Sequence, residues 1–273
     1  MTDTECVEIE QLCRMEPSQA ATKIGKSLLK DILPKDPKER RSFLKTIREC
    51  RNVLGNGHEW GLLHAFADRG HKLATLLLLE KGANIEARDA NGNTALILAS
   101  MNGCDELVQL LLDAGADVNA NYPENLPLPQ ATHTALFEAT LCGNIGTVRL
   151  LLARGAKTEA RNAKGNSALN IAVRLGYTEI VEMLLAVKDI DINAKNIEGE
   201  TPLMTASRHG LEDMVRLLLE KNADVWAKNH SGATARKLNL KTARVQYPGL
   251  LKTSISEILE KEMQVRLHER RHY

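Results

Sequence analysis

Leucine returns at Leu63, Leu96, Leu136, Leu169 and Leu203, at spacings of 33, 40, 33 and 34 residues. A glycine keeps the same register at Gly70, Gly103, Gly143, Gly176 and Gly210. A period of this length marks one supersecondary unit used repeatedly, and a unit so small cannot bury its apolar face alone. Neighbouring copies must therefore stack. The stretch 91–121 shows the unit: a turn at Asn91-Gly92-Asn93, a helix of apolar and small residues from Thr94 to Met101, and a break at Gly103. A second helix follows through Leu107-Val108 and Leu110-Leu111-Leu112 and ends at Gly115.

Triple-leucine runs recur at 77–79, 110–112, 150–152 and 217–219, and Gly199-Glu200-Thr201-Pro202-Leu203 precedes His209-Gly210. Period and motif resemble the ankyrin repeat, a β-turn followed by two antiparallel helices. Five repeats span roughly 58–229, and a degenerate sixth opens at His230-Ser231-Gly232-Ala233-Thr234-Ala235. The resemblance implies an all-α repeat solenoid of helix-turn-helix repeats joined by β-turns or hairpins. It also implies a non-enzymatic scaffold or adaptor for protein partners.

The expected organisation is an N-terminal helical segment over 1–57, an array over 58–240 and a C-terminal helix over 241–273, the end segments capping the array. Ala21, Ile24, Leu28, Leu29 and Ile32 form an apolar stripe, and Asp36-Pro37 reads as cap and first residue of the next helix. Whether this segment packs on the array or acts as a separate binding module stays open. Lys237-Leu238 is expected to end a short helix, and a final helix is expected from Leu251 to about Arg270. Within the repeats, Thr94, Thr134, Ser167 and Thr201 are expected to cap their first helices, each contributing ~1 kcal/mol. The Thr-His pair that fixes the turn in the resembled family is not complete in any repeat: His64 stands without its threonine, and Asn170 faces Ser167.

A net charge of +1 gives no argument for nucleic acid or a membrane surface. Five cysteines without metal-site spacing read as reduced thiols, and Asp3, Glu5, Glu8 and Glu10 stand where a secretory leader would need a basic start. No run of apolar residues suffices for a membrane helix. The expectation is a monomer in the cytoplasm or nucleus, with no cofactor and no metal.

Between the second and third repeats, seven extra residues occupy a loop over 122–133, rich in proline and carrying Tyr122, Leu126 and Leu128. It reads either as a contact finger or as a tolerated insertion. The rival function is an enzyme or small-molecule binder built around this loop, Glu138 and Cys142. Glu138 places a carboxylate in an otherwise apolar or small column, where burial would raise its pKa, but no His or Ser joins it there. His268-Glu269-Arg270-Arg271-His272 fits a zinc motif, yet no third ligand follows and a terminal turn frays.

The resemblance further implies that the residue flanking each turn and the two residues before the mid-repeat glycine line the binding face. The first row reads Arg88, Asn121, Arg161, Lys195 and Lys228. The second reads Asp68-Arg69, Met101-Asn102, Leu141-Cys142, Arg174-Leu175 and Arg208-His209. With Lys164 added, basic groups gather toward the fourth and fifth repeats, while Met101, Tyr122 and Leu141 offer apolar contact. The partner expected on these rows is a protein with an acidic stretch and an apolar anchor.

Overall fold

Stacked pairs of short helices form the core of this computed structural model, which describes residues 36, 38, 62–80, 82–121, 134–246 and 253–271. The chain divides into two compact parts, Met1–Pro123 and Glu124–Tyr273. The first holds α1 (Leu62–Asp68), α2 (Lys72–Glu80), α3 (Ala95–Met101) and α4 (Asp105–Asp113). The second holds α5 (Ala135–Cys142), α6 (Ile145–Ala153), α7 (Ala168–Leu175), α8 (Thr178–Leu185), α9 (Pro202–His209), α10 (Glu212–Glu220), α11 (Ala235–Gln246) and α12 (Ser254–Arg271). The fold is an all-α repeat array; among the described residues the one β pairing is an isolated bridge between Arg161 and Ser167 across a turn.

Helices of seven to nine residues are too short to persist alone in water, so packing must hold them. In the first part α1 packs on α3 and α2 on α4; in the second, α5, α7, α9 and α11 form one row, while α6 contacts α8. The first helix of each repeat is buried on nearly every side, as the run from Ala95 to Ser100 shows. The second helix buries only a stripe, such as Leu107, Val108 and Leu111 of α4.

The first helices of the second to fifth repeats start on the expected hydroxyls. The side chains of Thr94, Thr134, Ser167 and Thr201 accept from the amides of Ile97, Phe137, Asn170 and Met204. One pairing that the sequence reading missed is reciprocal: Asn170 Oδ1 also accepts from the Ser167 amide, which completes a capping box in the fourth repeat. Nor does His64 stand alone. It is 2% exposed, and its Nε2 lies 2.9 Å from the carbonyl oxygen of Ala87 in the following turn.

The turns repeat with the same chemistry. Asp89, Asn162, Asn196 and Asn229 each accept two backbone amides on one side-chain oxygen, from the residues two and four further on. Successive turns then join. The Ile197 amide donates to Lys164 O at 3.1 Å and the His230 amide to Glu198 O at 3.0 Å. That closeness leaves no room for a side chain at the turn glycine: a Cβ on Gly165 would sit 2.9 Å from the Ile197 nitrogen, and one on Gly199 2.9 Å from the His230 nitrogen.

At the C-terminal end the helix beginning at Ala235 does not stop near Leu238 but continues to Gln246. Ala243 stands where the other repeats carry the helix-ending glycine, and alanine favours continuation. The last helix starts at Ser254, behind a reciprocal pair in which the Ser256 amide donates to Thr253 Oγ1 and the Thr253 amide to Ser256 Oγ. It packs on α10 and α11 with Ile255 and Leu259 buried. Arg266 donates to Leu219 O and Ala223 O, capping the end of α10 from outside. Of the N-terminal segment only residues 36 and 38 are described. There the Lys38 amide donates to Asp36 Oδ2 at 3.0 Å, as a cap at Asp36 requires; the rest of 1–57 lies outside the described residues.

Gly232 occupies the sixth repeat's turn with φ 71°, and a Cβ there would meet nothing within 4 Å. Gly232→Ala therefore faces only the left-handed backbone penalty, ~1–2 kcal/mol. Gly165→Ala faces that penalty and must also push the next turn away, adding ~1–3 kcal/mol. Urea unfolding should show Gly165→Ala clearly the more destabilised of the two; equal losses would refute the turn-on-turn contact.

Candidate partner-binding surface

The turn-flanking cations, expected to face a partner, are largely engaged within the fold. Arg88 Nη1 donates to Gly92 O of its own turn and to Asn121 O one repeat on. Arg161 Nη1 does the same with Gly165 O at 3.1 Å and Lys195 O at 3.0 Å. Lys195 Nζ in turn donates to Lys228 O at 3.1 Å. Each cation thus braces its turn, or the next, through carbonyls left over at the turn's edge. Lys164 and Lys228 are exposed.

The helix-end pairs divide differently. In the first part Arg69 lies beside Asp68 at 3.7 Å, while Asn102 Nδ2, next to the half-buried Met101, donates to Asp68 Oδ1 at 3.1 Å. Two successive helix ends therefore meet through Asp68. Tyr122 and the 122–133 loop lie outside the described residues.

In the second part the ends of α5, α7 and α9 follow one another along the row of first helices. Leu141 is 37% exposed and Leu175 40%, beside exposed Cys142 and Arg174. Arg208 turns inward to the carboxylate of Glu200, which is 5% exposed and also receives Asn229 Nδ2 at 3.5 Å. A buried acid is thereby compensated, so Arg208 serves the fold first. His209 stays exposed. Partial burial lowers its pKa, with the charges of Arg208 and Arg174 adding to the effect.

One contact candidate escaped the sequence reading. Ile197, at the tip of the fifth repeat's turn, is 60% exposed; its amide pairs with the exposed Lys164, and the exposed Glu198 follows it in sequence. Its neighbours in sequence are polar, and only the turn geometry reveals that its side chain faces water.

The groups of the enzyme reading do not cooperate. Burial raises the Cys142 thiol, and the Glu138 carboxylate raises it further, the reverse of what an activated nucleophile needs. Glu138 itself is buried in the first turn of α5. His268 of the zinc-like motif is exposed on α12, and His272 lies outside the described residues.

The braces and the free helix ends can be separated by mutation. Arg161→Met removes two hydrogen bonds from a half-buried guanidinium and should lower stability by ~1 kcal/mol. Arg174→Met should stay within about 0.5 kcal/mol of the parent. Chemical denaturation checks both, and equal effects would remove the distinction.

The sequence matches a family model described as ankyrin repeats (3 copies) over residues 19–122 and 136–229, so the match reaches back into the N-terminal segment. The chain is 29% identical over 156 residues to the nuclear factor NF-kappa-B p105 subunit of Gallus gallus, covering 56% of this chain and 15% of that protein. It is 43% identical over 101 residues to the ankyrin repeat and KH domain-containing protein mask of Drosophila melanogaster, covering 37% and 2%. With the B-cell lymphoma 3 protein homolog of Mus musculus the identity is 35% over 133 residues, covering 49% and 28%. The chain thus spans a minor part of each relative's length. No described helix is long and apolar enough to cross a membrane. Ankyrin repeats generally mediate protein–protein interactions and are generally non-catalytic. With the family's sequence model matching well over half of its length and the helix pairs stacked at the repeat period, the chain belongs to the ankyrin-repeat family.

Proposed function

We propose that this protein is an adaptor that holds a protein partner on the ends of its first helices in the third to fifth repeats. The observation that carries the reading is the exposure of Leu141 and Leu175 next to Arg174 and His209, on helix ends that follow one another in one row. Exposed leucines beside cations suit a segment with an apolar anchor flanked by acidic residues. The apolar contact sets the lifetime of the complex and the charges speed its formation. Relative to the sequence expectation, the emphasis moves from the turn-flanking row to the helix ends, because Arg88, Arg161 and Lys195 are occupied as braces.

The test is comparative affinity capture with three full-length baits. One is the parent, one carries Leu141→Asp with Leu175→Asp, and one carries Glu182→Lys with Lys221→Glu at exposed positions elsewhere. Quantitative mass spectrometry should show a set of proteins lost at least about tenfold from the leucine variant and retained by the other, a change worth ~1.4 kcal/mol. Capture unaffected by the leucine changes, with all three baits folded by circular dichroism, would sink the proposal.

A further inference from the structure

The helix ends of the fourth to sixth repeats carry a run of nitrogen bases at matched positions: Arg174 on α7, Arg208 and His209 on α9, and Lys241 on α11. Helix α9 packs on α7, α10 and α11. Arg208 is committed to Glu200, while Arg174 and Lys241 are exposed and have no ion pair among the described residues. On α10 the first-turn acids are Glu212 and Asp213; Glu212 is held by Arg216 and by the Ser254 side chain, and Asp213 is exposed. The charges that bear on the His209 ring are those of Arg208 and Arg174, both positive. The site therefore presents cationic groups around an imidazole and leaves the neighbouring acids engaged or out of its field.

We infer that the carboxylates of an acidic partner segment bind across Arg174 and His209, and that this binding takes up a proton on His209. The inference rests on the adaptor reading above and adds a regulation to it. In the free protein, burial and the two arginines favour the neutral ring, lowering its pKa from the ordinary histidine value. A carboxylate brought beside it offsets the arginine field and favours the imidazolium, so the pKa in the complex is the higher of the two. Linkage then fixes the sign. Affinity is level above the bound-state value, rises as pH falls between the bound and free values, and levels off again below the free value. One proton allows at most about tenfold per pH unit. The complex should therefore tighten on mild acidification, a response for which histidine is suited.

The probe is the capped peptide Ac-Asp-Glu-Leu-Asp-Glu-NH2, with Ac-Asn-Gln-Leu-Asn-Gln-NH2 as its neutral counterpart, added to the labelled full chain and followed by NMR from pH 5.5 to 8. The acidic peptide should raise the His209 ring pKa by about half a unit or more. Its affinity should rise about two- to fourfold from pH 7.5 to 6.0. His209→Gln should bind at pH 7.5 yet lose the pH dependence, and Arg174→Gln should weaken binding at both values. If the peptide shifts the Arg174 and Leu175 amides but leaves the His209 pKa unmoved, or if His209→Gln keeps the same pH profile, the proton linkage is overturned and the binding surface stands. If no resonance of Arg174, Leu175 or His209 responds at millimolar peptide, or the neutral peptide acts equally well, the acidic-segment reading falls together with the linkage.

Discussion

The register of the fourth to sixth repeats depends on one backbone contact made between neighbouring turns. Ile197 and His230 donate their amides to the carbonyls of Lys164 and Glu198 in the turn before, and the glycines at 165 and 199 exist so that this approach is possible. A single such bond contributes only ~0.5–1.5 kcal/mol net. Its weight comes from register. In the fourth and fifth repeats the first helix starts a few residues after its turn, on the capping hydroxyl, so fixing one turn on the next also fixes which helix faces meet. Helices this short gain their stability from that meeting.

The same constraint explains how the cations divide. The turns leave carbonyls at their edges, and Arg88, Arg161 and Lys195 donate to such carbonyls of their own turn or of the next repeat. These side chains are drawn into the fold, while Leu141, Leu175, Arg174, His209 and the turn tip at Ile197 stay exposed. Asp89, Asn162, Asn196 and Asn229 anchor the regular turns, and Tyr122 occupies that register where the insertion begins.

Much of the fold was legible in the sequence because it is local. The period, the left-handed residue at Asn222 after α10, and the hydroxyl caps each depend on a few adjacent positions. Where the fourth repeat gains a residue, the left-handed conformation falls on Asp189, in the lengthened turn after α8. Less was legible at the surface. The reach of Arg161 to Lys195 O spans a whole repeat, and nothing in its own neighbourhood distinguishes it from a cation aimed at a partner. Arg208 likewise looked free until Glu200 proved buried beneath it. Sequence register placed these side chains at turns and helix ends; contacts within and between repeats decided which of them stayed exposed.

Native-state hydrogen exchange at the Ile197 and His230 amides tests this account most directly. If turn-on-turn bonding sets the register, both amides should exchange through opening of their whole stack, with protection close to that of the buried helices α7 and α9. Exchange at the rate of an unprotected surface turn, while α7 and α9 remain protected, would contradict it.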